Sequence, residues 1–179
     1  MIYVLLAEGF EELEAMAPVD LLRRAGASVR TVSVTDNKIV TGARGIPAVA
    51  DIMLDEVDFE EMEMLVLPGG YPGYENLANC PAAMDLLKRA VEAEKTVAAI
   101  CGAPSVPGKL GLLKGQKATC YPGMEDTLGC EALPHKVVES GHFITSRAAG
   151  TSIDFALALV AKAVSPEKAA EIAKGIVYS

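Results

Sequence analysis

The chain has no tryptophan, and its aromatic residues amount to 5%. The core built by its 51% hydrophobic content is therefore aliphatic, which suits a parallel sheet covered by helices on both faces. Positive charge is scarce: 16 Lys and Arg stand against 24 Asp and Glu, for a net charge of −8. Nucleic acid and anionic membrane surfaces both call for a basic face, so neither is an expected partner. There are two histidines, and none of the four cysteines (Cys80, Cys101, Cys120, Cys130) forms a C-x-x-C pair. No zinc-type spacing results, and no metal or other cofactor is expected. A basic leader and a long apolar run are also missing, and Met1-Ile2-Tyr3-Val4 opens directly into a strand pattern. A cytoplasmic protein with free thiols is the expectation.

What is present is alternation. Apolar runs at 2–7, 29–34, 64–67 and 97–100 read as strands, with a stub at 118–121 and a β pair at 137–138 and 142–145 around Gly141. Helical patterns cover 11–24, 81–93, 103–110 and 151–163, and Ser165-Pro166-Glu167 opens another. The stretch 35–51 reads as a hairpin or excursion. In the first helix Leu13, Met16, Ala17, Leu21 and Leu22 recur at helical spacing, and Pro18 is expected to kink it. No repeat or linker divides the 179 residues, a length that fits a single domain over 1–179. Strands alternating with helices predict an α/β sandwich with a mostly parallel sheet, whose sites lie at the carboxyl ends of the strands.

Three groups fall at such ends. Thr96 to Ile100 delivers Cys101 into Gly102-Ala103-Pro104, an arrangement that sets a nucleophile above a helix start. The partial charge there is expected to lower the thiol pKa, the plain alternative being a buried cysteine at a strand end. Pro68-Gly69-Gly70 offers unobstructed backbone amides for an oxyanion, or is an ordinary turn. Glu11, Glu12 and Glu14 open the first helix as dipole partners, but Glu14 lies about one turn above Phe10 and faces the sheet. A carboxyl beside the sulfur in a dry site would have a raised pKa and act as a general acid or base.

Together the stretches 11–26, 65–70, 98–101 and 145–152 resemble, in the same order, the PfpI/ThiJ family, in the branch of the human Parkinson's-disease protein DJ-one and bacterial YajL. The resemblance implies a three-layer, flavodoxin-like sandwich with a nucleophile elbow at Cys101, assembled as a homodimer. It also implies that Glu14 hydrogen-bonds the sulfur and that Gly69 and Gly70, with Gly102, form the oxyanion site. Arg44 and Arg147 would hold anionic groups at the mouth, the alternative being surface or dimer contacts. Tyr121 lines the same mouth, and it stands where this branch often carries a histidine before Pro122. A phenol is a poor base at neutral pH, so weak activity is expected. Cys120, next to Tyr121, either approaches Cys101 or is a small core residue.

The activity so implied is a cysteine-dependent glyoxalase or deglycase acting on methylglyoxal, glyoxal or their protein adducts, with a hydroxy acid such as lactate as product. The alternative is a redox sensor or holdase chaperone that serves damaged proteins through an oxidisable Cys101. A peptidase ranks last, because Gly102 rather than a histidine follows the cysteine. Nothing in the residues supports thiazole-monophosphate biosynthesis.

Overall fold

The computed structural model describes residues 1–178. Its strands are β1 (Ile2–Leu6), β2 (Val29–Ser33), β3 (Ile39–Thr41), β4 (Pro47–Val49), β5 (Ile52–Met53), β6 (Met64–Leu67), β7 (Thr96–Ile100), β8 (Lys117–Ala118), β9 (Glu131–Ala132), β10 (Val137–Ser140) and β11 (Phe143–Ser146). Its helices are α1 (Glu12–Arg24), α2 (Gly73–Ala78), α3 (Pro81–Glu92), α4 (Ser105–Lys109), α5 (Ser152–Ala163) and α6 (Pro166–Gly175).

Seven strands form the main sheet in the order β10-β11-β7-β6-β1-β2-β5. All neighbours run parallel except β10 and β11, which are antiparallel. Strand geometry sends alternate side chains to opposite faces. Ile2, Val4 and Leu6 of β1 accordingly pack with Leu22 of α1, Leu159 of α5 and Ile172 of α6. Tyr3 and Leu5 pack on the other face with Leu77 of α2, Leu87 of α3 and Val106 of α4. The result is a three-layer, flavodoxin-like α/β sandwich, the arrangement expected of a parallel sheet buried on both sides.

This strand order positions the site. The chain leaves β1 for β2 on one side, then returns to β6 on the other, so the winding reverses between β1 and β6. Crevices open at the carboxyl ends of strands where that reversal occurs. There β1 pairs with β6 and β6 with β7, in registers that include Val4 with Val66 and Leu67 with Ala99. The segments following these three strands are thus neighbours.

Some local expectations change. Helix α1 runs unbroken through Pro18, and its buried stripe is Glu14, Ala15, Pro18, Val19, Leu21 and Leu22. Leu13 is 60% exposed, and Met16 and Ala17 are half-buried. Packing against the sheet and α5 sets the stripe, and it leaves one apolar edge of the helix facing water. The turn over 101–104 delays α4 to Ser105, so the helix starts four residues after Cys101 rather than beneath it. Helix α2 lies in a stretch where the sequence pattern names no element, because it buries only Gly73 and Leu77 and leaves no apolar periodicity to read.

Candidate active site

Cys101 follows β7 directly, with φ 64°, in the left-handed region. A non-glycine residue held there costs about 1–3 kcal/mol unless its surroundings fix it. Two hydrogen bonds do so: Cys101 N–H donates to the Ser146 carbonyl at 3.0 Å, and Tyr121 N–H donates to the Cys101 carbonyl at 2.8 Å. The side chain is half-buried at the floor of a pocket of about 430 Å³.

Glu14 comes to this floor from the first turn of α1. Glu11 caps the helix, its Oε2 accepting from Glu14 N–H at 2.8 Å. The Glu14 side chain is fully buried. Its Oε2 accepts from Gly69 N–H at 3.0 Å. Its Oε1 is buried with no hydrogen-bond partner among the described residues, and the groups bearing on the carboxyl from the site are the Cys101 thiol and the Ala149 N–H. Burial raises the Glu14 pKa from 4.5 to about 7. The Glu11 charge adds to the rise, while the Cys101 thiol and the Gly69 and Ala149 amides work against it.

The thiol departs from the sequence expectation. Burial first, and then the neighbouring Glu14 charge, push Cys101 up to about 12, with the Gly70 and Gly102 amides pulling the other way. A helix that starts four residues away does not offset this. Cys101 therefore keeps its proton at neutral pH until Glu14 receives it, and the two groups titrate as a coupled pair. A carboxyl poised near 7 is suited to that task.

The expected oxyanion set of Gly69, Gly70 and Gly102 also changes. Gly69 N–H is already committed to Glu14, so the amides of Gly70 and Gly102 are the ones that bear on the sulfur. Gly69 has a different use. A Cβ there would lie 2.6 Å from Glu14 Oε2 and 2.7 Å from Cys101 Cβ, so only glycine lets the carboxyl and the thiol close over this turn. Gly70 adopts φ 93°, a conformation that a side chain would strain.

Arg44 lines the same pocket, on the loop of the β3–β4 hairpin. Its backbone N–H donates to Glu12 Oε1 at 2.7 Å, which ties the hairpin to the start of α1. Tyr121 also lines the pocket and is 49% exposed. Arg147 is placed elsewhere. It borders a separate cavity of about 120 Å³ with Cys120 and Glu125, and its Nη1 donates to the Pro134 carbonyl at 3.2 Å. Cys120 is buried in that second place, its charged neighbours being Glu125 and Arg147, and burial pushes its thiol up to about 11. It thus belongs to the core and does not join Cys101.

The sequence reading passed over Tyr71, Tyr74 and Met124, which line the Cys101 pocket. The available signal was Tyr71-Pro72-Gly73-Tyr74, two tyrosines directly after the Gly69-Gly70 turn in an aromatic-poor chain. Among the described residues, no group of three or more His, Cys, Asp or Glu is placed to hold a metal ion, and no helix is long and apolar enough to cross a membrane.

Comparison with known proteins identifies the family and the fold. Residues 1–162 match the DJ-1/PfpI family. The chain is similar to protein DJ-1 homolog A of Arabidopsis thaliana, at 42% identity over 175 residues covering 97% of this chain. It spans only 45% of that relative's length. It is 33% identical over 170 residues to the Caenorhabditis elegans protein named glutathione-independent glyoxalase DJR-1.2, covering 93% of this chain and 90% of the relative. Among solved structures, the oxidized DJ-1 of Toxoplasma gondii superposes with a TM-score of 0.94 at 35% identity, covering 99% of this chain and 98% of that one.

Proposed function

Because this chain belongs to the DJ-1/PfpI family, we propose that it is a cysteine-dependent glyoxalase or deglycase acting on α-oxoaldehydes, free or attached to proteins. The observation that carries the reading is the buried Glu14 carboxyl, held near neutrality beside a half-buried Cys101 on a left-handed turn. The name of the Caenorhabditis elegans relative supports it.

Cys101 Sγ attacks the aldehyde carbon C1, and its proton passes to Glu14 and on to the C1 oxygen. The Gly70 and Gly102 amides, which bear on the sulfur, hold the charge that develops on that oxygen. Glu14 then removes the C1 hydrogen as a proton and returns it to C2, while the C1 hydroxyl proton passes to the C2 oxygen. C1 is oxidised as C2 is reduced, leaving a thioester. Water cleaves the sulfur–carbon bond, giving a 2-hydroxy acid and the free thiol. Arg44 holds anionic groups at the mouth. With methylglyoxal, lactate release is expected from the native protein, and its loss in Cys101→Ala. Equal lactate formation by the two proteins overturns the reading.

A second reading is favoured by Tyr121, which offers no imidazole beside the sulfur. In it Cys101 is a redox sensor, oxidised by peroxide to sulfenic and then sulfinic acid, with the protonated Glu14 hydrogen-bonding the product and the protein guarding damaged clients. Mass spectrometry after mild peroxide is expected to find oxidation concentrated at Cys101. An even spread over Cys80, Cys101, Cys120 and Cys130 contradicts it.

In both readings the protein works as a homodimer in the cytoplasm. The support for the dimer is a set of large apolar side chains left in water, with Leu13 60%, Ile46 59% and Val49 71% exposed. Ile46 N–H is joined to Glu12, beside Leu13, by a 3.4 Å contact to Oε1.

A further inference from the structure

We propose that the pocket above Cys101 selects α-oxoaldehydes bearing an aryl substituent over methylglyoxal and glyoxal, with Tyr71, Tyr74 and Tyr121 as the specificity-determining side chains. The inference rests on the α-oxoaldehyde reading above and names the substrate class of that site.

Aromatic residues are the scarce resource of this sequence: five tyrosines, four phenylalanines and no tryptophan. Three of those five tyrosines line this one pocket. Tyr74 is half-buried with its ring against the core, and the other two stand outside it. Tyr71 is 71% exposed and Tyr121 49% exposed, whereas Phe10 and Phe155 are fully packed inside. Large aromatic faces left in water around a cavity mark a place where a ligand covers them.

The rings also stand at the right depth. Tyr74 lies flush against the nucleophile turn, since a Cβ on Gly102 would come within 2.6 Å of the Tyr74 Cδ1 atom. Tyr71 continues that wall towards the mouth, its ring centroid 6.4 Å from that of Tyr74 at an interplanar angle of 53°. This tilted pairing leaves ring faces open to a third ring. Met124 adds a deformable apolar contact.

Size points the same way. A cavity of about 430 Å³ falls among the pockets that enclose drug-sized ligands. Methylglyoxal presents one methyl group and leaves the tyrosines uncovered. In an arylglyoxal the ring is attached at C2, one bond from the carbon joined to Sγ, and so meets Tyr74 while C1 remains on Cys101. The chemistry is unchanged: water and ArCOCHO give ArCH(OH)COOH, with C1 oxidised as C2 is reduced.

The test compares kcat/KM for phenylglyoxal, read as mandelate, with kcat/KM for methylglyoxal, read as lactate. In parallel, Cys101 is alkylated with phenacyl bromide and with bromoacetone, each rate divided by that of free glutathione. Both ratios are expected to favour the aryl compound by about tenfold or more, the scale on which an apolar pocket discriminates. Tyr74→Leu and Tyr121→Leu, two independent variants, are each expected to lower the ratios several-fold. Methylglyoxal turnover equal to or faster than phenylglyoxal turnover overturns the selectivity and leaves the glyoxalase reading standing. An alkylation ratio near one also overturns it. Conversion of neither aldehyde overturns the reading and the inference together.

Discussion

Glu14 is a carboxyl sealed from water beside a thiol, and its titration should be measurable in the stability of the whole chain. It ionises at the ordinary 4.5 in the unfolded chain and at about 7 in the folded one. Between those values the unfolded chain sheds a proton that the folded chain keeps, so this group's contribution to stability falls as pH rises. The loss is absent below 4.5, complete above 7, and amounts to roughly 3 kcal/mol. Glu14→Gln keeps the shape and removes the titration. Its unfolding free energy relative to the native protein is expected to rise by about that amount between pH 4.5 and pH 8. A difference that stays constant with pH contradicts the assignment. Much of this residue was legible in the sequence, because one helical turn from Phe10 already turned Glu14 towards the sheet. That Gly69 N–H is committed to it, and so withdrawn from the oxyanion set, was not legible, since that bond joins residues 55 positions apart. The thiol expectation changed for a related reason: Gly102-Ala103-Pro104 read as a tight turn running into a helix from 103, and only the fold shows that helix starting at Ser105.

Among the elements, the turn after β6 is the hinge between carboxyl and sulfur. Gly69→Ala inserts a methyl group 2.6 Å from Glu14 Oε2 and 2.7 Å from Cys101 Cβ. Overpacking of this kind costs about 1–3 kcal/mol. The expected outcome is a fall in unfolding free energy of that size, together with slower reaction of Cys101 with an alkylating agent. Unchanged reactivity in a folded Gly69→Ala protein contradicts the role given to this turn. The strands around it were readable because each is a short apolar run closed by Gly or Pro, as 64–67 is by Pro68-Gly69-Gly70. Helix α2 was not, since Gly73 and Leu77 are its only buried residues. Helix α1 was placed correctly but its face was not. Leu13 looks like core by hydrophobicity, yet it points away from the sheet that fixes which side is buried.

At the scale of the whole molecule, that misread face becomes informative. Leu13, Ile46 and Val49 are large apolar residues left in water on an acidic protein, and they support a homodimer built on α1 and the β3–β4 hairpin. Leu13→Asp sets a charge into that face without touching the core. Sedimentation is expected to find a dimer for the native chain and a folded monomer for the variant. A native monomer, or a variant dimer of unchanged affinity, contradicts the assembly. The overall architecture was legible because a parallel sheet buried on both faces imposes aliphatic runs alternating with helices. The pocket's tyrosine wall was not, because Tyr71 and Tyr74 meet Tyr121 only through the neighbouring of β6 and β7 and the Tyr121–Cys101 hydrogen bond.

The proposal that Cys101 and Glu14 work as one nucleophile–base pair is decided by the pH profile of Cys101 alkylation with iodoacetamide, located by mass spectrometry. In the native protein the rate is expected to rise with an apparent pKa of about 7, the value to which burial lifts Glu14. In Glu14→Gln the step at 7 should vanish, and reactivity should appear only at higher pH, where the buried thiol ionises unaided. Identical profiles for the two proteins would contradict the pair.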